Sequence, residues 1–354
     1  MALIHGGDTV GFYLEYGYEP LDFSANCNPF GPPEGVVRAI SLAASAIDAY
    51  PDPLCRRLCA ALAEHEGVIP GHILCGNGSA DLIDRLVYSR KPRIAVITDP
   101  AFSEYERALR TTDCRIIHHP LEAEDGYAVT HSILGRLTPD VDMLFLCNPN
   151  NPTGLTIDPQ LLSVIIDTCI GSHILLVLDE CFNGFLEDPD AHTCKARIEG
   201  CLDLLILKAF TKLYGMAGVR LGYCLSSNVP LLAAMQSAGQ PWAVSSLAQA
   251  AGLAALGEYD YVRQSKKLIC TERAYLSWKI KALDMNVTES EANYIFFRTD
   301  LPDLTANMRK KGILIRDCSS YPGLSEGCYR VAVRTHEENV RLVSALTACA
   351  TEAV

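Results

Sequence analysis

A chain of 354 residues that is 49% hydrophobic and 20% charged has the make-up of a globular protein, long enough for one large domain with a smaller one attached. Its net charge of −12 leaves no basic stripe to neutralise phosphates, which excludes a nucleic-acid partner, and no apolar run approaches the length of a membrane span. The 15 cysteines are odd in number and form no CxxC pair, and MALIHGGDTV lacks a basic and then apolar leader, so reduced thiols in the cytoplasm are expected, without a disulfide framework or a metal site.

Taken in chain order, GNGSAD (76–81) reads as a glycine-rich turn opening a helix, where backbone amides meet an anion. Short apolar runs then recur: RIAVIT (93–98), MLFLC (143–147), HILLVLD (173–179), DLLILK (203–208) and RLGYCLS (220–226). Each has the length and the Val, Ile, Leu or Phe content of a strand buried on both faces. Between them lie segments with helical spacing, such as PQLLSVIIDTCI (159–170). This alternation predicts an α/β domain over 36–235, with a mostly parallel sheet flanked by helices. From 236 to 354 the rhythm changes to a long helical stretch (246–283), then strand-like NYIFFRT (293–299), GILIRDC (312–318) and CYRVAVRT (328–335), as in a small α+β domain. A ligand cleft is expected between the two.

Ligands of parallel sheets bind beyond the carboxyl ends of the strands, and three consecutive runs end in chemistry. MLFLC leads into NPNNPTG, HILLVL into Asp179 and Glu180, and DLLILK into Thr211 and Lys212. An amide, a carboxylate and an amine thus meet at one edge of the sheet. A glycine follows the lysine at 215 and another at 218, and Arg220 comes next in GVRLGY.

Asn151 in NPNNPTG, Asp179 in LDECF, Lys212 in FTK and Arg220 in GVRLGY match, in order, the signature of fold-type I pyridoxal-phosphate enzymes. The resemblance extends over almost the whole chain. It implies pyridoxal 5'-phosphate as cofactor, with Lys212 holding it covalently and Asp179 keeping its pyridine nitrogen protonated. Asn151 would donate to the phenolic oxygen. Gly78, Ser79, Ala80, Thr211 and Arg220 would grip the phosphate, and Phe102 in DPAFSEY would stack on the ring. Tyr50 in AYPDP would reach the cofactor phosphate of a neighbouring subunit, which implies a homodimer with shared sites. Two positions depart from the pattern: Ala209 stands where relatives carry Ser or Thr, and Lys208 where an arginine is common.

Two reactions remain open within this fold. The core motifs are similar to those of histidinol-phosphate aminotransferases. HGGDTV (5–10), LDFSANCNPFG (21–31), ANYIFF (292–297) and ILIRDCSSYPGLSEGCYRVAVR (313–334) more closely resemble the threonine-phosphate decarboxylases of cobalamin synthesis. That likeness makes residues 1–35 an arm over the active site. It puts the substrate contacts on His5, Gly6, Asn26, Asn151, Arg316 and Arg330, with a small phosphorylated amino acid as substrate. Phe182 occupies the place where transaminases of this fold commonly carry a tyrosine, and it agrees with the decarboxylase reading.

Overall fold

The computed structural model describes residues 5–352. Seven strands form the larger sheet: β1 (Ile73–Gly76), β2 (Ile94–Asp99), β3 (Arg115–Pro120), β4 (Met143–Cys147), β5 (Leu175–Asp179), β6 (Leu204–Ala209) and β7 (Gly222–Leu225). Their order is β1-β7-β6-β5-β4-β2-β3, with β7 antiparallel to both neighbours and the rest of the pairings parallel. Strands β4 and β5 are buried at every position, as their unbroken apolar runs require.

Helices seal both faces, and local chemistry fixes where they start. The helix Pro159–Ser172 has proline in its first turn and Asp158 as its cap, whose carboxylate accepts from the Leu161 amide. It packs Leu161, Leu162, Ile165 and Ile166 on one face of the sheet. The helix Ser79–Arg90 packs Leu82, Ile83, Leu86 and Val87 on the other.

The second sheet has four antiparallel strands in the order Arg316–Asp317, Cys328–Ala332, Tyr294–Arg298, Asn286–Val287. The helices Tyr259–Lys281 and His336–Glu352 cover it through Ile269, Leu276, Leu342 and Leu346. The N-terminal segment joins this half: Leu21–Asp22 pairs in parallel with Ile313–Leu314.

Three details differ from the sequence expectation. Strands β1 and β3 lie outside the apolar runs singled out above. Both are edge strands, and β3 leaves much of RIIHHP exposed. The helical stretch 246–283 is two helices, Ser246–Ala255 and Tyr259–Lys281, broken around Gly257. GILIRDC supplies two short strands, each paired in a different sheet. Among the described residues, no helix is long and apolar enough to cross a membrane.

Candidate active site

Strands β4, β5 and β6 are neighbours, so their carboxyl ends open together onto one cavity of about 390 Å³. Lys212, Asp179, Asn151, Arg220, Ser79 and Ala80 line it. So do Phe102, His5, Gly6, Asn26, Arg316 and Arg330. The arm, the large sheet and the small sheet each contribute to its wall.

Asp179 is 4% exposed and fixed at both oxygens. The Tyr105 hydroxyl donates to Oδ2 at 2.7 Å, and the Cys181 amide donates to Oδ1 at 3.0 Å. Burial, with the Asp179 charge beside it, pushes the Tyr105 phenol well above its ordinary value, so it remains a donor. Tyr105 is itself stacked on Phe145 at 5.0 Å, and Phe102 meets it edge-on at 5.7 Å.

Across the cavity, Arg330 donates through one nitrogen to Asn151 Oδ1 and through another to the Ser24 carbonyl at 2.8 Å. With its carbonyl oxygen occupied, Asn151 has only its amide hydrogens left for a ligand. Arg330 also lies 5.5 Å from the centre of the Tyr294 ring, and Arg316 lies 5.4 Å from that of Tyr321. The Lys212 ammonium sits 6.0 Å from the centre of the Phe182 ring, which itself packs edge-on against Tyr294.

A glycine turn with the geometry of an anion site flanks one end. Gly78 adopts φ +86° and hands over to the helix Ser79–Arg90, whose first turn no side chain caps. A Cβ built on Gly78 would lie 2.8 Å from a terminal nitrogen of Arg220. A Cβ on Gly222 would lie 2.7 Å from the Ser79 amide. Open amides, a guanidinium against a bare backbone, and an amine and a fixed carboxylate in the same cavity fit a phosphorylated pyridine aldehyde. The side chain of Asn26 adds to this: it is 2% exposed, lines the cavity, and neither of its polar atoms has a partner among the described residues.

Three of the expected positions do not line the cavity. Gly78 lies behind Ser79 at its edge, against Arg220. Thr211 is buried, and Tyr50 is 78% exposed and stacks on Trp242 at 4.3 Å. Lys208 and Ala209 face a second cavity of about 280 Å³. There the Lys208 ammonium lies 3.3 Å from Glu66 and 3.6 Å from Glu180, both buried. Burial alone would raise the Glu66 carboxyl, but Lys208 and the Tyr223 hydroxyl hold it below its ordinary value. Residues that sequence reasoning did not single out also line the first cavity, notably Ser24, Glu104, Cys147 and Tyr321. Glu104 and Tyr105 sit in the DPAFSEY motif already noted for Phe102, and that proximity was the available signal.

A seven-stranded α/β sheet with this constellation at its carboxyl edge defines a fold-type I pyridoxal-phosphate enzyme. The family model for aminotransferases of class I and II matches residues 18–346, and the chain belongs to that family. It is 38% identical, over 97% of its length and 95% of the relative's, to the threonine-phosphate decarboxylase of Salmonella typhimurium. It is 30% identical, over 97% of its length and 95% of the relative's, to a histidinol-phosphate aminotransferase of Methanococcoides burtonii. A histidinol-phosphate aminotransferase from Sinorhizobium meliloti, solved in complex with pyridoxal-5'-phosphate, superposes with a TM-score of 0.87 at 23% identity, covering 100% of this chain and 96% of that one. The chain is a pyridoxal-phosphate-dependent enzyme of this family.

Proposed function

We propose that this enzyme decarboxylates a phosphorylated amino acid, O-phospho-L-threonine or O-phospho-L-serine, to the amino-alcohol phosphate that links the nucleotide loop of a cobamide. The observation that carries the reading is the placement of two buried arginines. In a chain of net charge −12, Arg316 and Arg330 are 8% and 6% exposed and line the same cavity as Lys212. The oxygens that meet Arg330, from Asn151 and Ser24, are neutral, so its charge calls for an anion. A substrate with a carboxylate and a phosphate brings two.

When bound, the cofactor supplies an electron sink for the charge left on Cα as a bond there breaks. The chain's own groups do the rest. Asp179, pinned by Tyr105 and Cys181, would hold the proton on the pyridine nitrogen. Lys212 would hold the cofactor covalently, and its amine would be the group that returns a proton to Cα. Arg316 and Arg330 would orient the anionic groups of the substrate and so select which bond at Cα stands in the position to break. Holding the carboxylate there releases carbon dioxide. Phe182 brings no hydroxyl to the cofactor's phenolic oxygen, which leaves Asn151 as its donor. Tyr50, exposed in one chain, fits a role at the cofactor phosphate of a second copy in a homodimer.

The 38% identity to a protein named threonine-phosphate decarboxylase supports this reading, and the relatives named histidinol-phosphate aminotransferase support a transaminase as the alternative. Dependence on a keto acid separates them. Turnover of O-phospho-L-threonine at the same rate with and without 2-oxoglutarate is expected, and a strict requirement for 2-oxoglutarate would replace this reading with the transaminase.

A further inference from the structure

Glu104 is an anomaly in an anion-binding cavity. It is 9% exposed and lines the same wall as Phe102 and His5, where a free carboxylate would repel a dianionic substrate. Both of its oxygens are engaged. Oε2 accepts from Arg107, whose other arm donates to Asp84 at 2.7 Å on the helix Ser79–Arg90. Oε1 lies 2.8 Å from His5 Nε2. The His5 ring centre also lies 6.0 Å from that of Phe102.

The arm is pinned again two residues on. The Gly7 amide donates to Ser24 Oγ at 2.8 Å, and a Cβ built on Gly6 would lie 2.3 Å from the Ser24 carbonyl oxygen. Ser24 is in turn held by Asp22. The glycines therefore fix where the arm crosses the cavity, but among the described residues the His5 side chain, 53% exposed, has Glu104 and Phe102 to set its direction.

We infer that Glu104 is a positioning residue for substrate recognition: it holds the His5 imidazole over the cavity by its Nε2 and leaves Nδ1 to donate to the phosphate of the substrate. The chain His5, Glu104, Arg107, Asp84 ties the arm to the helix that the glycine turn opens. Arg107 cancels the charge that Glu104 would otherwise present to the substrate, and the imidazole, with Glu104 at Nε2 and the phosphate at Nδ1, donates to both when it carries both ring protons. The inference rests on the reading of His5 as a substrate contact.

The test is the affinity of the holoenzyme for isopropyl phosphate, measured by calorimetry; this probe carries the phosphate but no amine, so it cannot react with the lysine-bound site. His5→Ala and Glu104→Gln are each expected to weaken binding about tenfold, as loss of one charge-assisted contact does, and the double variant no more than either alone. In steady state, Glu104→Gln should raise KM for O-phospho-L-threonine with kcat within about twofold, the signature of lost ground-state binding. If His5→Ala weakens binding and Glu104→Gln does not, the positioning role fails and the His5 contact stands. If the two losses multiply in the double variant, Glu104 acts by another route and the inference also fails. If His5→Ala leaves the affinity unchanged, the His5 contact fails, and the inference with it.

Discussion

At the scale of single residues, the buried charges of this chain separate by what meets them. Asp179 is held at both oxygens by the Tyr105 hydroxyl and the Cys181 amide, and Tyr105 is the more telling of the two. Its hydroxyl is the side-chain donor to that carboxylate. Tyr105→Phe keeps the stack on Phe145 but strips Asp179 of that bond, so cofactor retention should fall about tenfold while the fold survives; equilibrium dialysis against free pyridoxal phosphate reads this directly. Lys208 answers to stability. It is the ammonium between two buried carboxylates, and Lys208→Met would leave Glu66 and Glu180 without it. A loss of about 3–5 kcal/mol in urea unfolding is expected, as for other buried pairs broken on one side. Burial also raises the Glu180 carboxyl, against the pull of Lys208. A raised carboxyl gains stability when protonated, so Glu180 opposes folding as pH rises through its folded value, and the lowered Glu66 supports folding above its ordinary value. Glu180→Gln should therefore cost less at pH 8 than Glu66→Gln, in the same unfolding assay.

At the scale of elements, the strand ends were the legible part. MLFLC, HILLVLD and DLLILK are buried on both faces, so their apolar runs stood out, and the residues following them are the ones the sheet brings to one edge. The edge strands β1 and β3 were not legible, because one is four residues long and the other leaves one face to solvent. Nor was the break at Gly257, since only three residues, none of them proline, separate Ser246–Ala255 from Tyr259–Lys281. The turn between β1 and the helix Ser79–Arg90 carries the sharpest requirement. Gly78 has φ +86° and its Cα faces the Arg220 guanidinium. Gly78→Ala combines a strained φ with a 2.8 Å clash, so it should displace Arg220 and lower cofactor affinity at little cost to the melting temperature.

At the scale of the whole molecule, three parts of the chain remote in sequence build one cavity: the arm at His5 and Asn26, the sheet at Asp179 and Lys212, and the small sheet at Arg316 and Arg330. No spacing rule joins residues 5, 179 and 330; for those contacts only the likeness of the terminal motifs to a known family was informative. Tyr50 extends the argument to two copies. If the partner subunit's Tyr50 completes each site, mixing Lys212→Ala with Tyr50→Ala chains creates hybrid dimers with one intact site, and about a quarter of wild-type activity should return from two impaired parents. No recovery would mean that each chain works with its own residues. The central claim, that the carboxylate leaves, is tested most directly by following O-phospho-L-threonine labelled with carbon-13 at its carboxyl, with no keto acid present. Decarboxylation places the label in carbon dioxide and bicarbonate, turnover after turnover. Label that stays in a phosphorylated keto acid, after a single turnover per site, would contradict it.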